Sequence, residues 1–96
     1  MNREITELDL GRASFVRSVK GLPQDIRNSL QEALEELLKY PQPKKLRLEK
    51  LESIKNPGVY TIHITPNHSH KASFEIEGTK AILRRVGTHK LIDRTP

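Results

Sequence analysis

The feature that most restricts the fold is an amphipathic stretch that begins at Leu22-Pro23 and ends before Pro41. Proline suits the first turn of a helix and cannot continue one, so the two prolines bracket a helix that runs to about Tyr40. Its apolar residues recur at helical spacing: Ile26, Leu30, Ala33, Leu34, Leu37 and Leu38. Because a helix with one apolar face must bury that face, a second layer has to cover it.

A shorter helix is predicted just before it, over residues 12–20. Phe15, Val16 and Val19 stand one, three and four residues apart and therefore share one helical face. Gly21 is a natural end for this helix. The two helices form a predicted hairpin whose common apolar face needs a sheet to cover it.

The second half of the chain has the residues of strands and tight turns. After the turn at 56–58, β-branched and aromatic residues predict strands over 59–64, 71–77 and 80–86, joined as an antiparallel meander. Residues 44–50 alternate leucines with charged side chains, which indicates either a strand with a basic outer face or an extended lead-in. Residues 1–10 fit a short strand, and residues 91–96 a short tail.

These elements predict an α+β fold in which the helical hairpin packs on a four-stranded, mainly antiparallel sheet, in the order β-α-α-β-β-β. The chain has 96 residues and no break in composition, so we expect a single domain over 1–96. With only two Tyr, two Phe and no Trp, the core must consist mainly of Leu, Ile and Val.

Charge and composition limit the classes of molecule that the protein can bind and the place where it can act. Seventeen Lys and Arg against twelve Asp and Glu give a net charge of +5, which favours an anionic partner such as nucleic acid, acidic protein or membrane. No apolar run approaches the ~20 residues that span a bilayer, and residues 1–10 lack a signal-peptide core. We therefore expect a cytoplasmic protein that does not act at a membrane. The absence of cysteine excludes disulfides and thiolate chemistry.

Several junctions together resemble one known family. They are Leu22-Pro23 between the helices, Leu46 and Leu51 at the entry to the sheet, Gly58-Val59-Tyr60 at a strand start, and Gly87-Thr88-His89 after the last strand. This combination is similar to the RelE/ParE superfamily of toxins from toxin-antitoxin systems, over residues 15–90. The Gly-Thr-His triplet resembles the YafQ branch, in which a histidine at this place takes part in cleavage.

The resemblance implies a type II toxin with a cognate antitoxin as partner. In the RelE branch it implies a metal-independent endoribonuclease that cuts messenger RNA on the ribosome and needs no cofactor. In the ParE branch it implies protein binding instead, with inhibition of DNA gyrase. Carried onto this chain, the family's site positions on the sheet are Thr61, His63, His70, Lys71 and His89.

Histidine and lysine suit the implied chemistry. Cleavage of RNA at its own 2′-hydroxyl needs a base, an acid and cations, and imidazole can take either proton role because its pKa is normally about 6.5. Strand alternation places His63 with Thr61 and Thr65 on a polar face, which we expect to be free of helices. His63, His70, His89 and Lys71 are the predicted catalytic residues. Five cations are predicted to contact the RNA backbone: Lys44, Lys45, Arg47, Arg84 and Arg85.

Less specific interpretations exist for the same residues. His63, His68 and His70 offer three imidazoles for zinc, but their spacing matches no known metal motif, and His68 suits an ordinary turn residue. Glu32, Glu35 and Glu36 are expected to form a solvated helix face. The basic residues suit an acidic antitoxin segment as well as RNA. A generic RNA-binding domain is disfavoured because few aromatic residues are available to stack on bases.

Overall fold

The helical hairpin forms where the glycine and the prolines predict it. In the computed structural model, which describes residues 2–96, α1 spans Ala13–Lys20 and α2 spans Gln24–Leu37. Pro23 stands immediately before α2, and the helix ends three residues earlier than predicted. None of the helices in these described residues is long and apolar enough to cross a bilayer.

The sheet has five strands, so the predicted count of four and the order β-α-α-β-β-β are wrong. The strands are β1 (Glu7–Asp9), β2 (Glu49–Lys55), β3 (Gly58–His63), β4 (His70–Glu77) and β5 (Lys80–Thr88). They lie in the order β1-β5-β4-β3-β2. The predicted meander of β3, β4 and β5 is correct, and β2 extends it antiparallel, whereas β1 pairs parallel to β5. The fold is therefore α+β with a mixed sheet. The prediction for the N-terminal strand included Met1, which lies outside the described residues.

The error in the strand count arises between residues 44 and 55. Lys44–Leu46 is a single 3₁₀ turn, and Arg47 follows it in the left-handed conformation at φ 47°. Leu46 and Leu48 are both buried, at 2% and 6% exposure. Their alternation with charged residues imitates a strand, although a turn brings both leucines to the core. The strand itself starts at Glu49 and forms a charged edge, which discourages pairing with other chains.

The chain end is a helix and not a tail. Thr88 caps α3 (His89–Arg94) because its hydroxyl accepts a hydrogen bond from the Leu91 N–H at 3.2 Å. This helix packs against β4 and β5. The prediction that the sheet face with Thr61 and His63 is free of helices is therefore wrong, because α3 lies over part of that face.

The main core lies between the hairpin and the opposite face of the sheet. It includes Phe15 from α1, Leu34 and Leu37 from α2, and Ile62 and Phe74 from the sheet, all 7% exposed or less. The aromatic rings of Phe74 and Tyr60 stack with their centroids 5.9 Å apart. The N-terminal segment is fastened to the hairpin through Gln42, whose backbone and side chain hydrogen-bond to Asn2 and Arg3.

Two adjacent leucines test the orientation of α2. Leu37 has no exposed surface, whereas Leu38 is 42% exposed. Leu37→Ala should lower the free energy of unfolding by about 2–5 kcal/mol, because it leaves a cavity in the core. Leu38→Ala removes the same atoms at the surface and should cost less than about 1 kcal/mol. Urea denaturation of both variants measures the difference, and equal losses would contradict this packing.

Candidate active site

Strand register brings His63 and Lys71 together. They are directly opposite each other in the antiparallel pair β3–β4, so their side chains leave the same face of the sheet. Both are buried, with 7% of His63 and 4% of Lys71 exposed. Burying a histidine and a lysine side by side is costly unless each has polar partners. Those partners come from a turn and from α3.

Three imidazoles meet at this point. His68 lies in the turn between β3 and β4, and its Nδ1 is 2.9 Å from Nδ1 of His63. On the other side of His63, the ring of His89 stands edge-on with its centroid 5.4 Å away. His68 has a left-handed backbone at φ 59°, an uncommon conformation for a residue with a side chain. This strained turn directs its ring at His63.

One carboxylate completes the arrangement. Asp93 on α3 accepts a hydrogen bond from Lys71 Nζ at 2.9 Å through Oδ1, and its Oδ2 lies 2.8 Å from Nδ1 of His89. Glu49 contributes a second, longer contact with Lys71 at 3.8 Å. We call His63, His68, His89, Lys71 and Asp93 the imidazole cluster. Its charges are paired locally, which makes the burial of Lys71 possible.

The electrostatics of the cluster keep His63 uncharged. Burial, followed by the positive charge of Lys71 and the neighbouring imidazoles, lowers the pKa of His63 to about 4. Hydrogen bonding from Lys71 lowers the pKa of Asp93 despite its partial burial. At neutral pH the cluster therefore contains a neutral His63 and an ionised Asp93.

The structure does not bring all the predicted catalytic residues together. His63, Lys71 and His89 converge, but His70 precedes Lys71 on β4 and points to the opposite face. Its Nδ1 is 2.7 Å from the Ser69 hydroxyl instead. Thr61 lies on the face of His63, fully buried, and its hydroxyl has no hydrogen-bond partner within residues 2–96.

The predicted RNA-binding cations separate into two groups. Lys44, Lys45 and Arg47 are exposed and border the same cleft as His63 and His68. Arg84 is held elsewhere, because Glu75 binds it and Arg12 together. These two guanidinium groups lower the pKa of Glu75 against the opposing effect of burial. Arg85 is exposed, apart from the imidazole cluster.

Two members of the cluster were missed in the sequence. His68 was interpreted as an ordinary turn residue, although its left-handed conformation directs the ring inwards. Asp93 was placed in a tail. The signal for it was present, since Thr88 is a good N-cap and His89 and Asp93 are four residues apart, as neighbours on one helical face are.

No part of residues 2–96 brings three or more His, Asp or Glu side chains into a metal-binding arrangement. The alternative zinc site needed His63, His68 and His70 to converge. His70 lies on the other face of β4, so these three residues do not form such a site.

Comparison with known proteins gives matches in structure only. No family model matches the chain, and no curated protein matches it. Among solved structures, a chain of the RelB-RelE antitoxin-toxin complex from Methanococcus jannaschii is 27% identical and superposes with a TM-score of 0.64. That match covers 88% of this chain and 96% of the other. YafQ from Escherichia coli strain BL21(DE3) is 18% identical with a TM-score of 0.68, over 94% of this chain and 97% of YafQ.

A third match has the same fold at lower identity. A chain of the archaeal RelE-RelB complex from Pyrococcus horikoshii OT3 is 14% identical, with a TM-score of 0.61 over 92% of this chain and 96% of that one. Each match covers nearly the whole length of both chains. By its fold, the chain is a member of the RelE-like toxin superfamily.

The low pKa of His63 makes stability depend on pH. An unfolded histidine takes up a proton near pH 6.5, whereas folded His63 does so only near pH 4. Its contribution to stability is therefore fully present above pH 6.5 and is lost as the pH falls towards 4. When the pH is lowered from 7 to 4.5, the free energy of unfolding of the wild type should fall by about 2 kcal/mol more than that of His63→Gln. Urea denaturation at both pH values gives the difference, and parallel losses would show that His63 titrates normally.

Proposed function

We propose that the chain is the toxin of a type II toxin-antitoxin module and acts as a RelE-like, ribosome-dependent endoribonuclease that cuts messenger RNA and so inhibits translation. A cognate antitoxin is its proposed protein partner. The observation that carries the proposal is the imidazole cluster, in which His63 and His89 stand side by side and Asp93 holds His89. The fold shared with chains of RelB-RelE complexes supports the toxin and its antitoxin.

The proposed reaction uses the 2′-hydroxyl of the substrate itself. His63 is uncharged at neutral pH because its pKa is about 4, so its ring can accept the proton from the 2′-oxygen. The 2′-oxygen attacks the adjacent phosphorus, and the bond from phosphorus to the 5′-oxygen breaks. His89 donates a proton to that departing oxygen. The products are a 2′,3′-cyclic phosphate and a free 5′-hydroxyl.

Asp93 has an orienting role in this scheme. Its contact with Nδ1 of His89 fixes the plane of the ring and leaves Nε2 for the substrate. Lys71 is fully engaged with Asp93 and Glu49, so we assign it the positioning of Asp93. Charge on the phosphate is then balanced by the exposed cations beside the cluster: Lys44, Lys45 and Arg47.

Loss of His89 tests the proposal directly. Expression of the chain alone should arrest growth, and purified protein should cut messenger RNA bound to ribosomes. His89→Ala should reduce the cleavage rate about 100-fold or more, the usual loss when a general acid is removed. Glu77→Gln, an exposed change at the far end of β4, is the matched control and should cleave like wild type.

The other outcomes are informative in different ways. If wild type with a verified fold leaves ribosome-bound messenger RNA intact, the endoribonuclease proposal is wrong. Growth arrest that persists without cleavage, and that His89→Ala does not relieve, would favour a ParE-like protein that acts by binding a protein such as DNA gyrase. Circular dichroism and thermal unfolding of each variant establish that the fold is retained.

A further inference from the structure

A cleft adjoins the imidazole cluster on the side of α2. It has a volume of about 520 Å³, within the range of ~300–1,000 Å³ that is typical of sites for small molecules. We call it the α2 cleft. Its charged and imidazole lining residues are Glu32 and Glu36 of α2, Lys44, Lys45 and Arg47 of the turn, and His63 and His68.

The α2 cleft has three chemically different walls. Ala33, Leu46 and Ile64 give it an apolar floor, each of them 6% exposed or less. Cations stand on the side of the turn. The helix side presents carboxylates, because Glu32 and Glu36 are four residues apart and share one helical face. A nucleotide has the complementary parts, which are a flat apolar ring, polar ring edges and an anionic phosphate.

The two carboxylates are not equivalent. Glu36 forms an ion pair with Lys45 at 3.0 Å. Glu32 has no ion pair or side-chain hydrogen bond within residues 2–96, so its oxygens are free to accept hydrogen bonds from a ligand. A carboxylate repels phosphate but accepts hydrogen bonds from the amino groups of bases. Glu32 is thus suited to the base and not to the RNA backbone.

Backbone conformation also marks this cleft. Arg47 and His68 are the two non-glycine residues with positive φ in residues 2–96, and both line it. Each such residue costs folding energy and is found where the surrounding structure imposes it, often at functional sites. The turn of residues 44–46 therefore places the cation of Arg47 beside the α2 cleft, and the turn after β3 places the imidazole of His68 beside it.

We propose that the α2 cleft binds the base next to the scissile phosphate, and that Glu32 selects bases with an exocyclic amino group over uracil. Adenine, cytosine and guanine each offer an amino group to the carboxylate. Uracil offers one N–H between two carbonyl oxygens, which repel the same carboxylate. The inference rests on the proposed function because it takes RNA as the ligand, and it adds the residue that sets base preference.

Binding can be measured without cleavage. The probes are the four 2′-O-methyl ribonucleoside 3′,5′-bisphosphates, which lack the attacking hydroxyl, titrated into ¹⁵N-labelled protein and followed by NMR. The adenine, cytosine and guanine probes should shift the amide signals of Leu46, Arg47 and Ile64. The uracil probe should bind about five- to tenfold more weakly, as expected when a hydrogen-bonded base contact is lost.

Two isosteric variants separate the role of Glu32 from net charge. Glu32→Gln should bind all four probes within about twofold of one another, because the amide no longer favours amino groups alone. Glu35→Gln changes the charge equally on an exposed residue of the same helix that does not line the cleft, and it should keep the wild-type preference. Unchanged amide spectra away from the cleft show that both variants fold.

The outcomes separate this inference from the proposed function. Equal affinity for uracil, no binding of any probe at millimolar concentration, shifts outside the cleft, or a preference retained in Glu32→Gln would each overturn the inference. Ribosome-bound messenger RNA tests the proposed function independently. If the wild type cleaves messenger RNA but shows no base preference in binding, only the inference about the α2 cleft is wrong. If it shows the base preference but does not cleave, the endoribonuclease proposal is wrong and the base site is retained.

Discussion

The contact of Asp93 with both Lys71 and His89 holds the candidate site together. A buried lysine needs a counter-ion, and the nearest one belongs to a helix that the sheet must first position. Because Asp93 has two oxygens, the same carboxylate that neutralises Lys71 also binds the ring of His89. The cost of burying a cation is thereby linked to the placement of an imidazole, so the fold and the site share one interaction.

Sheet register supplies the rest of the site. The pairing of His63 with Lys71 follows from the length of the turn between β3 and β4, and a slip of β4 by one residue would move Lys71 to the core face, away from His63. Burial, together with the charges of Lys71, His68, His89 and Arg47, lowers the pKa of His63 and keeps this ring neutral. Packing therefore selects the protonation state that a base requires.

The sequence predicted the fold correctly where residues close together in the chain determine the structure. Prolines and helical spacing located α2, and the turn at 56–58 with the β-branched and aromatic residues after it located the meander. Local pattern failed at residues 44–50, where buried Leu46 and Leu48 imitate strand alternation around a left-handed Arg47. It also failed for α3, since a six-residue helix is unstable alone and forms only against the sheet.

The sequence predicted some residues of the candidate site and missed others, as it did for the fold. Strand alternation placed His63 on one face with Thr61, and the family resemblance added Lys71, which lies opposite His63 in the sheet. His70 was grouped with them although it points the other way, because the exact start of β4 decides its face. The contribution of His68 depends on one backbone angle, and that of Asp93 on tertiary packing. Neither has a periodic signature in the chain.

The parallel pairing of β1 with β5 has a consequence for synthesis of the chain. Thr6 and Thr79, which hydrogen-bond beside this pairing, are 73 residues apart, so β1 has no partner strand until residues 80–82 of β5 have been made. Contacts this distant in sequence form late, because long loops must close first. His89 and Asp93 follow β5 and are translated later still. The imidazole cluster can therefore assemble only after β3, β4 and β5 have been made and α3 has packed against them.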